Sequence, residues 1–280
     1  MLRRIRTAAI CATVAVAVAA CGSRTQEVSL ENVPPEEIFA RAEARLTSRR
    51  GASDAAELFT EVERLYPYSE WAKRSIIMSA FAYHRARLYD ESRGAAQRYL
   101  DFYPADEDAA YAQYLIALSF YDQIEAVSRD QGITFQALQA LRTTVERYPD
   151  SEYASSALLK FDLALDHLAG KEMDIGRYYL KQGHFGAAIN RFRVVVEDFQ
   201  TTTHTPEALH RLVEAYLSLG LDADAQTAGA ILGYNFQGTD WYQDSFVLLT
   251  GRGISTEEAS DQSQGWLRRI WRQVVRGQWL

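Results

Sequence analysis

The chain has 280 residues, 48% of them hydrophobic and 24% charged, with only six prolines. That composition excludes wholesale disorder and collagen and favours helices over a turn-rich all-β chain. A net charge of −7 provides no broad basic surface, so no nucleic-acid partner is expected.

Arg3, Arg4 and Arg6 precede the uncharged run Thr7 to Ala20, which is short for a bilayer span but fits an export signal over residues 1–20. The run ends Val18-Ala19-Ala20-Cys21-Gly22. Small residues immediately before a cysteine resemble the bacterial lipobox, with Val18 where leucine is commoner. Cys21 is then the first mature residue, carrying a thioether-linked diacylglycerol and an N-acyl chain. Ordinary cleavage at an A-x-A-like site is the alternative, and it would leave Cys21 a free thiol. Each buried methylene contributes about 0.8 kcal/mol, so a triacylated cysteine anchors the chain to a membrane for good. Cleavage removes three arginines and no acids, taking the net charge from −7 to −10. It also removes Cys11, so the mature chain has one cysteine and no internal disulfide. Residues 21–33 read as a polar tether.

Beyond the tether the chain repeats. Arg64-Leu65-Tyr66-Pro67, Asp101-Phe102-Tyr103-Pro104 and Glu146-Arg147-Tyr148-Pro149 each close an Ala-rich helical stretch with an aromatic-Pro pair. Asp198-Phe199-Gln200 and Asn235-Phe236-Gln237 take the same place without proline. The aromatics are 37, 45, 51 and 37 residues apart, the range of a helical-hairpin repeat with two enlarged units. Proline cannot continue a helix and biases the residue before it out of α geometry, so it turns the chain into the next unit. The expected fold is all-α: a superhelix of about five tetratricopeptide-like hairpins, divided into N-terminal repeats over 34–150 and C-terminal repeats over 151–250.

Residue types support that assignment. Gly176, Tyr179, Ala188 and Phe192 fill all four small and aromatic slots of a tetratricopeptide unit. Ala80 with Tyr83, Ala55 with Phe59, and Tyr216 with Ala225 fill two slots each in other units, while Ser92 and Tyr99 look degenerate. Thr205-Pro206-Glu207 reads as a hydroxyl N-cap followed by proline and an acid, and Ser69 and Ser151 stand in similar places. From Glu152 to about Lys181 no proline intervenes, which predicts one long helix, or two abutting, joining the third and fourth units. Asp122 to Phe135 is polar and predicts an inserted loop within the third unit.

The chain resembles the ComL family of outer-membrane assembly lipoproteins, the BamD component of the Bam complex. The residues that carry the resemblance are the lipobox, Asn32-Val33-Pro34-Pro35-Glu36-Glu37-Ile38-Phe39, Arg64-Leu65-Tyr66-Pro67, Ser128-Arg129-Asp130-Gln131, Leu168-Ala169-Gly170-Lys171-Glu172, Arg177-Tyr178-Tyr179 and Asn190-Arg191-Phe192. It implies a non-enzymatic scaffold on the periplasmic face of the outer membrane, with no cofactor beyond the lipid on Cys21. Its partners would be a BamA-like barrel protein, bound through its periplasmic POTRA region, other Bam lipoproteins and unfolded outer-membrane proteins. On this chain the resemblance implies client binding around Tyr66, Tyr83, Tyr111 and Tyr114, and partner docking around Arg177, Tyr178 and Arg191. A tyrosine on a tetratricopeptide slot, such as Tyr83, also has an ordinary packing role open to it. The alternative function is a periplasmic tetratricopeptide lipoprotein serving another envelope system, such as cell-wall enzymes or secretin assembly.

Residues 251–280 add a polar linker and a cationic tail. At 100° per residue, Trp266, Leu267, Ile270, Trp271, Val274 and Val275 fill one half of a helix, and Arg268, Arg269, Arg272 and Arg276 most of the other. Such a helix can cap the last repeat, bind a partner or lie on a membrane. No hydrolase, nucleotide or metal motif occurs, and His204 and His210 straddle a helix boundary, which makes them a poor ligand pair.

Overall fold

The structure is a computed structural model that describes residues 30–47, 50–124 and 131–254. Cys21 and the tail from Trp266 to Arg276 lie outside the described residues, as do Ser128, Arg129 and Asp130. Eleven helices and no strands are present among the described residues. They are α1 (Pro35–Leu46), α2 (Ala52–Leu65), α3 (Glu70–Ala86), α4 (Tyr89–Phe102), α5 (Ala109–Tyr121), α6 (Gly132–Arg147), α7 (Glu152–Lys181), α8 (Phe185–Asp198), α9 (Thr205–Ser218), α10 (Asp222–Asn235) and α11 (Asp240–Thr250). Each helix packs on the next along the chain, and the contacts are overwhelmingly local, as in a solenoid of helical hairpins.

The aromatic corners are one backbone device used five times. Tyr66, Tyr103, Tyr148, Phe199 and Phe236 all follow the last residue of a helix, with φ between −127° and −133°. Before proline ψ is 53° to 55°, and at Phe199 and Phe236 it is 39° and 33°. The corners before proline are thus more open by 14° to 22° in ψ, and proline is not required for the corner. Each corner N–H donates four residues back into its helix, and each corner carbonyl accepts from the N–H three residues on. In four corners the same carbonyl also accepts from the hydroxyl of that third residue: Ser69, Ser151, Thr202 and Thr239, at 2.7 to 2.8 Å. At Tyr103 the position is held by Asp106, whose carboxylate accepts from the Tyr99 hydroxyl at 2.5 Å and pairs with Lys73.

These bonds revise the expected caps. Ser69 does cap α3, accepting from the N–H of Ala72 at 3.1 Å. Ser151 has N-cap geometry, but its hydroxyl donates back to Tyr148. Thr205 is the first helical residue of α9 rather than its N-cap, and its hydroxyl donates to the carbonyls of Phe199 and Gln200. In both cases a corner carbonyl that already accepts from a backbone N–H takes the hydroxyl as a further donor.

The small and aromatic slots are packing positions. A Cβ on Gly176 would lie 2.5 Å from the ring of Phe192, so only glycine lets α7 and α8 approach this closely. Ser92 lies eleven residues before its corner, in register with Ala55, Ala137, Ala188 and Ala225. It is fully buried, and its hydroxyl donates to the Ala80 carbonyl at 2.8 Å. Ala96 stands where the other units place Phe59, Leu141 or Phe192, and Tyr99 from the next turn is fully buried in the same cluster. The second unit is thus regular in packing although its residue types differ.

Glu152 to Lys181 is a single helix of 30 residues. Its first half packs on α6 and its second on α8. The polar insertion of the third unit is shorter than expected, because α6 begins at Gly132 and already contains Phe135. The largest core cluster joins the second half of α7 to α8, α9, α10 and α11.

Candidate functional site

The predicted tyrosines divide between tying the fold and lining a cluster. The Tyr66 hydroxyl donates to the Val33 carbonyl at 2.7 Å, which fixes the segment leading into α1. Tyr83 is half-buried between two core clusters, with its hydroxyl 3.4 Å from that of Thr60. Tyr111 and Tyr114 of α5 come together against Tyr153 of α7, with ring centroids 5.2 and 5.4 Å apart. Tyr114 is buried and Tyr111 half-buried. Burial, with Tyr153 beside it, pushes the Tyr111 phenol up to about 12. Lys160, one face along α7, sets its ammonium over the rings of Tyr114 and Tyr121 at 5.9 and 5.6 Å. The cluster is aromatic, with the Lys160 ammonium beside it and the carboxylates of Glu152 and Asp108 near the Tyr153 and Tyr111 phenols. The structure thus joins Tyr111 and Tyr114 and leaves Tyr66 and Tyr83 in earlier units.

The predicted docking residues lie where α7, α8 and α9 meet. Arg177 donates through Nε and Nη2 to both carboxylate oxygens of Glu207, at 2.9 and 2.5 Å, and through Nη1 to Asp174. Glu207 also accepts from Arg211, which reaches Glu214 and stacks over Trp241. Burial alone would raise the Glu207 carboxyl, but the two guanidiniums hold it below the usual carboxylate range. Arg191 donates to Glu172 at 3.0 Å, joining α8 to α7. Tyr178 is different: it is 61% exposed and meets only Tyr179 edge-on at 5.8 Å among ring contacts. The two arginines brace the junction, and Tyr178 projects from it.

An apolar surface that sequence reasoning missed lies on the first half of α7. Leu158, Leu159 and Leu163 are each about half exposed, opposite the buried Ala154, Ala157, Ala164 and Leu168. The signal was present: alanine where helices approach closely, with leucine on the far side of the same turns. Beside it, Tyr121, Ile124, Leu163, Ala164, Asp166 and His167 line an open depression of about 340 Å³. The histidines part as expected, since His204 lies 3.5 Å from Asp166 while His210 shares a 2.8 Å hydrogen bond with the Ser245 hydroxyl. Ser245 is fully buried, so that pair ties α11 to α9 and presents no nucleophile. No helix among the described residues is long and apolar enough to cross a membrane, and none of their acidic, histidine and cysteine side chains cluster in threes as a metal site requires.

Comparison with known proteins agrees with this architecture. The YfiO family, described as outer membrane lipoprotein, matches residues 31–231, nearly the whole described superhelix. A protein of Caulobacter vibrioides named outer membrane protein assembly factor BamD is 49% identical over 243 residues, covering 86% of this chain and 79% of the relative. Proteins of the same name from Rickettsia prowazekii and Neisseria meningitidis serogroup A are 37% and 30% identical, over 81% and 72% of this chain and 91% and 79% of their own lengths. With four of its five corners, its long shared helix and its braced α7–α8–α9 junction inside the matched region, the chain belongs to the YfiO family of outer membrane lipoproteins.

Proposed function

We propose that this chain is a non-enzymatic assembly factor for outer-membrane proteins, held by lipid on Cys21 at the periplasmic face of the outer membrane. The observation that carries the reading is the family match across residues 31–231, together with relatives whose name states that role over most of both chains. The C-terminal repeats dock a BamA-like barrel protein through its POTRA region at the α7–α8–α9 junction. Tyr178 supplies the contact, because a rigid exposed aromatic on a braced helix loses little entropy on binding. Arg177 and Arg191 act mainly by holding α9 and α8 against α7. The N-terminal repeats receive the aromatic-ended strand of an unfolded client at Tyr111 and Tyr114, beside Tyr153 and Lys160 of α7, where Lys160 can meet a terminal carboxylate. Other Bam lipoproteins complete the assembly.

Extraction of the native envelope in mild detergent, followed by identification of what accompanies the chain, tests this reading. A BamA-like barrel protein should be recovered with the unchanged chain and reduced at least about tenfold by Tyr178→Ala, a loss of roughly 1.4 kcal/mol typical of an interface anchor. The thermal midpoint of that variant should not move, because the side chain is mostly in solvent. Arg191→Glu is the less clean variant, since it also breaks the pair with Glu172. Recovery without any barrel protein would remove the proposal.

A further inference from the structure

The last described helix has the wrong surface for the end of a solenoid. α11 buries Ser245 and Leu249 toward the core and turns Phe246, Val247 and Leu248 outward, at 43%, 67% and 39% exposure. A terminal helix ordinarily presents a polar outer face. Arg252 donates to the Leu217 carbonyl at 2.8 Å, which sets the end of α11 beside the α9–α10 connection. There Leu219 and Leu221 are also nearly half exposed. The described chain ends four residues past α11, at Ile254, whose side chain packs onto the C-terminal core.

We propose that residues 266–276 of this same chain cover that surface, packing as a helix along the outer face of α11. The length fits. Eleven residues separate Ile254 from Trp266 and can span up to about 36–40 Å, more than twice the roughly 16 Å of α11. The covering segment has eleven residues, the same number as α11. Its apolar side, with Trp266, Ile270 and Trp271, supplies what the Phe246–Leu248 face lacks. Charge fits as well. α11 carries the exposed acids Asp240 and Asp244 and no base, and α10 opens with exposed Asp222 and Asp224. The segment from Trp266 to the C-terminus carries four arginines and no acid. A membrane surface would match the arginines but would leave the apolar face of α11 in water.

Cysteine pairing in the full chain tests this directly, since the sequence holds only Cys11 and Cys21. With Val247→Cys and Ile270→Cys introduced together, oxidation of native envelopes should join the two positions within one chain, as peptide mapping would show. Arg272→Cys, on the basic side, should not pair with Val247→Cys. Independently, Trp271→Asp should make the α11 amides exchange about tenfold faster while those of α3 stay unchanged. A disulfide to a second copy or to another protein would overturn the proposal. So would unchanged α11 exchange in the Trp271→Asp variant, or protection of α11 that arises only on adding phosphatidylglycerol vesicles.

Discussion

At Arg87 the backbone turns left-handed, with φ of 65°, sixteen residues before its corner. Gly183 and Gly220 occupy the same register with φ of 74° and 72°. All three end a helix in the same way, with the N–H of the next residue donating to a tyrosine carbonyl five positions back: Tyr83, Tyr179 and Tyr216. A side chain in this region costs about 1–2 kcal/mol, and glycine returns part of that as unfolded-state entropy. Arg87→Gly should therefore stabilise the protein by about 0.5–1 kcal/mol, a rise of roughly 1–4 °C in thermal midpoint for a chain of this size. Gly183→Ala should lower it by a similar amount, and calorimetry of the two variants checks both signs. The residue types showed where units end but not how. The repeated hydroxyl or acid three positions after each corner aromatic is visible in the sequence, at Ser69, Asp106, Ser151, Thr202 and Thr239. Its purpose appears only when the corner carbonyls are seen to need a second donor.

Between elements, charge pairing joins α7 to α9 in addition to the core cluster that the two helices share. Glu207 has its carboxyl held below the usual range despite burial, so its contribution is present above the unfolded value near 4.3 and is lost as pH falls through the lower folded value. Glu207→Gln should cost about 1 kcal/mol at pH 7, discounted because Arg177 is one-third exposed and keeps Asp174. Denaturant titrations at pH 7 and pH 3 should show that difference shrinking at the lower pH. A constant difference would mean that the substitution acts through packing rather than through charge. The helices of the five expected hairpins were legible, because Ala-rich stretches ended by corner aromatics leave little choice, whereas α11, which follows the last corner, was not read. The start of α6 was not, since Gly132 and the polar residues before it read as loop until Phe135. The half-exposed leucines of α7 escaped notice for the opposite reason. Leucine in a helix reads as core, and only the tighter alanine stripe on the other side shows which face the neighbour took.

Across the whole molecule the core is unevenly distributed. The cluster spanning α7 to α11 gathers eighteen buried residues, whereas those of the third unit and the first half of α7 gather four and three among the described residues. In a solenoid stability is close to a sum over neighbours, so opening should begin in the middle. Native-state hydrogen exchange should show α6, whose buried residues lie in the small clusters, exchanging faster than α8 and α9, with protection following cluster size. Uniform protection from α2 to α10 would show a single cooperative unit instead. The 30-residue α7 crosses this weak middle without a break, and at 1.5 Å and 100° per residue it is a rod of about 45 Å with a fixed angular phase. The tyrosine cluster near Tyr153 and the projecting Tyr178 are therefore related by rotation as well as by distance. Adding one residue between them would swing one surface about 100° around the axis relative to the other, while adding seven would return it to within about 20°. What α7 conserves between the two ends of the molecule is an orientation, and a chain of the same length without that helical continuity could place both surfaces without ever aiming them.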